Sequence, residues 1–375
     1  MKKGGKMMKK HLLKVLGTVL ISTAVLTACG GGEDPADAEA SDASGSDNEA
    51  NADEGNDSGE AENNSAADSG DVINIKVGHI GPPTHSFTLG IEELTAAIEE
   101  ETDGQVKFEI FPGGQLGGER DMVEQVQLGT LDMGIYTSAP VTNFVPELAV
   151  LDLPLIFRDH QHAYDTLDGE VGEELLSLID AQGFKGLGLW ENGMRHMLSN
   201  GKPILSADDL NGMKVRAIGN DLVLDTYRAL GADPTPIEWP EVHTSLQQGI
   251  VEAHDNAYGV THSTGIYEVQ EYLSEVGLYY AAAVLLMNGD LFESLPEDVQ
   301  EVFERLGKEY AHVQREMTTD IEAEQKQELM EFDNGLEIYD AAEVDIDSFR
   351  EAVQPVYEKY ADEFGNLVER IQAVK

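Results

Sequence analysis

Apolar and polar positions alternate over residues 72–78, Val-Ile-Asn-Ile-Lys-Val-Gly, the period of a strand with one buried face. The period then lengthens. Over 87–101, Leu94, Ala97 and Ile98 share one face of a helix. A second strand is expected over 105–111, closed by Pro112-Gly113-Gly114. A helix over 119–128 stops at Gly129, and a third strand follows over 131–136. Strand and helix in alternation predict an α/β fold with a parallel sheet. The pattern resumes with strands over 186–190 and 214–218, and a helix over 241–248 that stops at Gly249 before a strand near Val251. Ser206 is placed to cap a short helix at Ala207-Asp208-Asp209. Gln127-Leu128-Gly129-Thr130-Leu131-Asp132 and Gln247-Gln248-Gly249-Ile250-Val251-Glu252 echo one another: helix end, Gly, one residue, apolar, acid. Taken as a repeat, the echo implies two similar α/β lobes with a ligand between them, at the carboxyl ends of their strands.

Ser294-Leu295-Pro296-Glu297 has capping-box spacing and opens a helix of about 35 residues, about 50 Å long, towards Phe332. Such a helix is long enough to brace both lobes. A further amphipathic helix or pair of helices is expected over 346–371.

The amino-terminal region is different in kind. Lys2, Lys3, Lys6, Lys9, Lys10 and Lys14 precede an apolar run over 15–26 and then Leu26-Thr27-Ala28-Cys29. A charged start, a short apolar middle and small residues before a cut make a secretory signal. The run is shorter than the roughly 20 residues that span a bilayer. Residues 30–70 contain no aromatic residue, no Leu, Ile or Val and no Lys or Arg. Such a segment buries too little surface to offset its ordering entropy, so a flexible acidic spacer is expected.

The chain carries 71 acidic residues against 24 basic ones, and six of the 24 lie in the signal. An acidic excess this large repels nucleic acid and anionic lipid, which excludes both as partners. It fits a protein that stays hydrated in high salt, where screening weakens self-repulsion. Cys29 is the one cysteine, so the folded part has no disulfide, thiol nucleophile or cysteine metal site. No dinucleotide or phosphate loop, nucleophile elbow or zincin motif is present. His160-Gln161-His162 reads as exposed histidines in a charged loop; no metal and no cofactor is expected.

With so few basic residues left, their positions are informative. Arg216 lies inside the strand Lys214-Val215-Arg216-Ala217-Ile218, where a guanidinium is held as a rigid fork for a carboxylate, or else makes a structural ion pair. Arg195 follows a strand in Gly193-Met194-Arg195-His196 and reads as a pocket or a surface arginine. Trp239, before a helix, walls a pocket or fills a core. Asn256, at a strand end, offers an amide to a ligand or makes a turn.

Several stretches together resemble the solute-binding proteins of TRAP transporters, the family of dicarboxylate and sialic acid binders. They are Phe111-Pro112-Gly113-Gly114-Gln115-Leu116-Gly117; Gly193-Met194-Arg195; Asp209-Leu210-Asn211-Gly212-Met213-Lys214-Val215-Arg216; Pro234-Thr235-Pro236 with Leu246-Gln247-Gln248-Gly249; and Ser294-Leu295-Pro296-Glu297. Leu26-Thr27-Ala28-Cys29 resembles the lipobox of bacterial lipoproteins, in which the cysteine is acylated. The resemblance implies a two-lobed periplasmic-binding-protein-like α/β fold with a cleft between lobes and a long bracing helix. One lobe would comprise 72–192 and about 282–321, the other 193–281 and about 322–375, after a signal over 1–28 and a lipid-anchored spacer over 29–71.

It further implies that Arg216 holds the substrate carboxylate, with Arg195 second, Trp239 packing on the ligand and Asn256 giving an amide. Thr137, His85 and Glu191 match positions that vary with substrate. The expected function is capture of a small organic acid outside the cytoplasmic membrane, by a lipid-anchored protein, for delivery to TRAP membrane subunits. No reaction is expected. The alternatives are a zwitterionic compatible solute such as ectoine, caged by Trp190, Trp239, Tyr258 and Glu191; a ligand-sensing receptor; and a secreted lipoprotein enzyme.

Overall fold

The computed structural model describes residues 72–332 and 335–375. The signal, Cys29 and the acidic spacer lie outside the described residues. Nine strands make one sheet: β1 (Ile73–Gly78), β2 (Val106–Phe111), β3 (Met133–Thr137), β4 (Phe184–Ser199), β5 (Lys214–Ala217), β6 (Asp233–Pro236), β7 (Ala253–Asn256), β8 (Tyr272–Asn288) and β9 (Glu337–Tyr339). Their order is β2-β1-β3-β8-β4-β7-β5-β6, with β9 beside β8.

The alternation at 72–78 is what buries Ile75 and Val77 under the helix Ser86–Glu101, through Phe87, Ile91, Leu94 and Ile98. β2, β1 and β3 are parallel, and so are β7, β5 and β6. Between the two sets run β8 and β4, antiparallel to each other and to their neighbours. The sheet is therefore mixed, where the sequence pattern predicts a parallel one. β8 escapes that pattern because Tyr279–Met287 is apolar throughout and buried on both faces, so no alternation marks it. β4 is 16 residues long, not the five expected over 186–190, and Arg195 lies inside it.

The register fixes where the strand ends point. Thr137, the last residue of β3, pairs with Ala283 of β8, which also pairs with Trp190 of β4. Asn256, the last residue of β7, pairs with His196 further along β4, and Ala253 pairs with Ser199. The carboxyl ends of the two parallel sets thus face each other across the middle of β4 and β8. Register shifts at Glu191/Gly193 and Arg195/Met197 bend the crossing strands there.

The internal echo is structural. Gly129 and Gly249 have φ of 71° and 66°, where glycine is favoured, and each follows a helix. Asp132 then accepts from the backbone N–H of Lys76 in β1 at 2.7 Å. Glu252 accepts from the backbone N–H of Lys214 in β5 at 3.1 Å. Each acid ties its strand to the neighbouring parallel strand.

The helix Glu297–Glu331 packs Phe303 and Leu306 against Leu94 and Ile98 near its start. Near its end, Leu329 joins Leu198, Tyr258 and Leu273. Its middle touches β4 backbone to backbone: a Cβ on Gly307 would stand 2.5 Å from the Leu187 carbonyl, and one on Gly188 2.6 Å from the Gly307 carbonyl. The capping box expected at its start does not form. Ser294 ends the preceding helix and its hydroxyl donates to Leu291, while Pro296 takes the N-cap position. Residues 346–371 fold as three helices, Ile346–Ala352, Gln354–Phe364 and Leu367–Ala373. His160 and His162 are not in a loop but open the helix His160–Leu167, and His162 is buried with Nε2 against the Ile371 carbonyl.

Candidate functional site

Arg216 projects from β5 and is 4% exposed. After β6 the chain keeps pairing, Ile237 N–H to the Ala217 carbonyl, which lays the Ile237 carbonyl against the guanidinium. Arg216 Nε donates to it at 2.8 Å. Two residues on, Trp239 begins the helix Trp239–Gln247, and its ring centre lies 5.6 Å from Arg216 Cζ. No carboxylate among the described residues lies within 4.0 Å of Arg216, and its outer nitrogens have no hydrogen-bond partner there. Burial, then the nearby Arg195 charge, push the group down to about 10.

Arg195 is the contrasting case. Its Nε donates to Asp255 Oδ2 at 2.5 Å, its Nη2 to the Asp255 carbonyl at 2.5 Å and its Nη1 to Asn256 Oδ1 at 3.1 Å. All three nitrogens are engaged. Burial alone would lower Arg195 and raise Asp255; the ion pair outweighs it in both, so Arg195 is held above and Asp255 below its ordinary value. Asn256 Oδ1 also accepts from the Ala257 N–H at 3.0 Å, which turns Nδ2 into a donor with no acceptor among the described residues.

Thr137 ends β3 on the facing side. Its N–H and hydroxyl donate to the two Glu119 oxygens at 2.7 and 2.9 Å. Glu119 starts the helix Glu119–Gln127, so this clamp fixes the strand–helix turn; burial raises the carboxyl. Thr137, Arg195 and Asp255 border one small cavity of 20 Å³ with Asp152, Tyr279 and Tyr280. That is room for about one water. Asp152 is pushed up to about 7 by burial.

His85 caps the helix Ser86–Glu101, its Nδ1 accepting from the Phe87 N–H at 3.1 Å. The neutral ring therefore carries its proton on Nε2. Burial, with His79 adding to it, lowers the ring to about 3. Asn192, at the β4 bulge, lies beside His85, and its Oδ1 has no hydrogen-bond partner among the described residues. Glu191 is placed differently from the rest. It is fully buried, and its oxygens are taken by His160 Nδ1 and the Tyr164 hydroxyl, each at 2.6 Å.

The structure thus brings Arg216, Trp239, Arg195, Asn256 and Thr137 to the facing strand ends, with His85 near Asn192. Glu191 is spent on other partners. Sequence reasoning passed over Asp255, Glu119 and Asn192. Asp255 sits between His254 and Asn256, and only pairing in space marks it as the Arg195 partner. Volume alone does not identify the site: a larger cleft of 420 Å³, lined by Leu155, Phe157, Met194, His196 and Gly277, contains none of these residues.

Residues 77–363 match the family described as bacterial extracellular solute-binding protein, family 7. A solute-binding protein of Verminephrobacter eiseniae is 35% identical over 288 residues, 76% of this chain and 85% of that relative. A TRAP periplasmic solute-binding protein from Polaromonas sp. JS666, bound to D-erythronate, is 38% identical with a TM-score of 0.78, covering 81% of this chain and 99% of that one. Another, from Sulfitobacter sp. NAS-14.1 with bound β-D-galacturonate, is 30% identical with a TM-score of 0.76, covering 80% and 99%. Matched over most of its described length, in sequence and in fold, the chain belongs to the bacterial extracellular solute-binding proteins of family 7.

Proposed function

We propose that this protein captures a small organic acid outside the cytoplasmic membrane and delivers it to the membrane subunits of a TRAP-type secondary transporter. One observation carries the reading. In a strongly acidic protein, Arg216 is a buried guanidinium with no carboxylate of its own, aimed from a rigid strand to where two sets of strand ends meet. A buried charge without a partner is costly, and a ligand carboxylate supplies the missing one in bidentate geometry. The ligands of the related structures, D-erythronate and β-D-galacturonate, are acids of this kind.

In this reading the facing strand ends are the walls of a cleft between two lobes, 72–192 with about 282–321 and 193–281 with about 322–375. The helix Glu297–Glu331 packs on both sides of it. The zwitterion reading fares worse. Trp190 is core, its Nε1 donating to the Gly307 carbonyl, and the Tyr258 hydroxyl is held by Glu275. The proposed cage is not assembled. Membership of a solute-binding family favours binding over catalysis.

A thermal-shift screen of organic acids on the full chain in high salt tests the function. A ligand at 100 times its dissociation constant stabilises by about 2.7 kcal/mol. No shift with any carboxylate, and a shift with ectoine, would overturn the reading.

We further propose that Cys29 is acylated and tethers the protein, with residues 30–70 as the spacer. The support is the Leu26-Thr27-Ala28-Cys29 sequence after a short apolar run. Cys29→Ala is expected to leave the signal uncut or release the protein from membranes. Metabolic labelling with a fatty acid reads this directly, and equal label in the variant would refute the anchor.

A further inference from the structure

The charges and the unpaired polar atoms around Arg216 narrow the ligand further; this inference rests on Arg216 being the carboxylate anchor. Two guanidinium groups stand at the facing strand ends, and Asp255 neutralises one of them. Around Arg216 act Arg195, Asp255, Glu238 and Glu119, so carboxylates outnumber arginines. Beyond Glu238 the next cation is Arg120, which is exposed. A second carboxylate on the ligand would therefore enter a region that has no second free cation.

The remaining polar atoms are neutral. His85 and His79 are held uncharged by burial, at about 3 and 4. The unpaired atom of Asn192 is an acceptor, Oδ1. Both ring nitrogens of His79 and the Tyr136 hydroxyl are also unpaired and buried. Buried polar atoms without partners cost free energy until something supplies one. A carboxylate only accepts, so it repels the Asn192 oxygen. A hydroxyl donates and accepts, so it satisfies both the Asn192 oxygen and an imidazole N–H. His85 and Asn192 sit on opposite sides of the same gap: His85 follows the carboxyl end of β1, and Asn192 is the bulged residue of β4, three before Arg195.

We propose that the ligand carries one carboxylate and an uncharged hydroxylated tail, as aldonic and uronic acids do, and that His85 and Asn192 read that tail. Arg216 sets the affinity for the acid; the neutral pair sets its class. Dicarboxylates of the same length are rejected for want of a second cation.

Calorimetry on the full chain in high salt decides this with matched probes: D-erythronate against succinate, D-galacturonate against D-galactarate, and butyrate as the acid without hydroxyls. At least one hydroxylated monoacid is expected to bind about 10- to 100-fold tighter than its diacid and than butyrate. His85→Phe and Asn192→Leu are expected to remove most of that margin while butyrate binding stays as it was. Because His85 also caps a helix, Asn192→Leu serves as the independent variant, and the ratio between probes, not the affinity alone, is the readout. A diacid binding as tightly as its monoacid partner, or variants that weaken all probes equally, overturns the proposal and leaves carboxylate capture standing. Failure of every acid to bind overturns both.

Discussion

Arg216→Ala is expected to lower affinity for the ligand acid by about 2–5 kcal/mol, roughly 30- to several-thousand-fold, without lowering the stability of the free protein. The two halves of this expectation have one cause. Arg216 donates a single hydrogen bond within the protein, to the Ile237 carbonyl, and has no ion-pair partner among the described residues. Its desolvation is an unmet cost in the free protein, as its lowered pKa shows. Removing it strands no anion, so the melting temperature of the free variant should hold or rise, the trade between stability and function seen at binding sites. Arg216→Lys keeps the charge and loses the planar fork, so it should also bind weakly. Calorimetry with a ligand found in the screen measures the loss, and differential scanning calorimetry the stability. Wild-type affinity in both variants would remove Arg216 from the site.

Arg195→Ala is expected to do the reverse: to destabilise the fold by about 3–5 kcal/mol even without ligand. Asp255 is nearly fully buried and its side chain pairs with Arg195 Nε at 2.5 Å, so truncation leaves an uncompensated buried anion. Asn256 loses its Arg195 bond at the same time, so ligand affinity falls as well. Replacing both charges, Arg195→Met with Asp255→Leu, should recover much of the stability, because breaking a buried pair costs more than removing it whole. The pair also sets an acid limit. Asp255 is held below its ordinary value, so its contribution is present above the unfolded-chain pKa near 4 and is lost as pH falls through the lowered folded value. Asp255→Asn should flatten that limb of a stability–pH curve measured by denaturant titration. Equal acid sensitivity in the variant would show that other carboxylates carry it.

Much of the architecture was legible because it depends on short-range order. The alternation at 72–78, the helix face of Leu94 and Ile98, and the glycine stops at 129 and 249 are local, and each is found where its period puts it. The Gly129 and Gly249 echo carried information beyond the local turn, since Asp132 and Glu252 repeat the same tie between strands. What failed was local too. Ser294 has the spacing of a capping box, but its hydroxyl serves the end of the preceding helix. The run Tyr279–Met287 has no period because both its faces are covered, and so the central antiparallel strand was invisible. With β8 unread, β4 looked a third of its length, and Arg195 seemed to follow a strand that in fact contains it.

Residue type and spacing by themselves determined that Arg216, Arg195, Trp239 and Asn256 belong near strand ends, and that the acidic excess makes any unpaired arginine conspicuous. They could not determine which arginine is free. In the sequence the two are the same chemical group, each in or beside a strand. Only the antiparallel register of β4 on β7 brings Arg195 against Asp255, while the parallel pairing of β5 with β6 gives Arg216 a carbonyl and an indole ring. Ion pairing acts over a few ångströms and depends on long-range register, which no local period encodes. The same holds for Glu191, whose position in the chain places it beside Asn192 but whose carboxylate is claimed by His160 and Tyr164 from a helix 30 residues away. Tertiary structure therefore assigned the partners, and the partners decide which charge is left for a ligand.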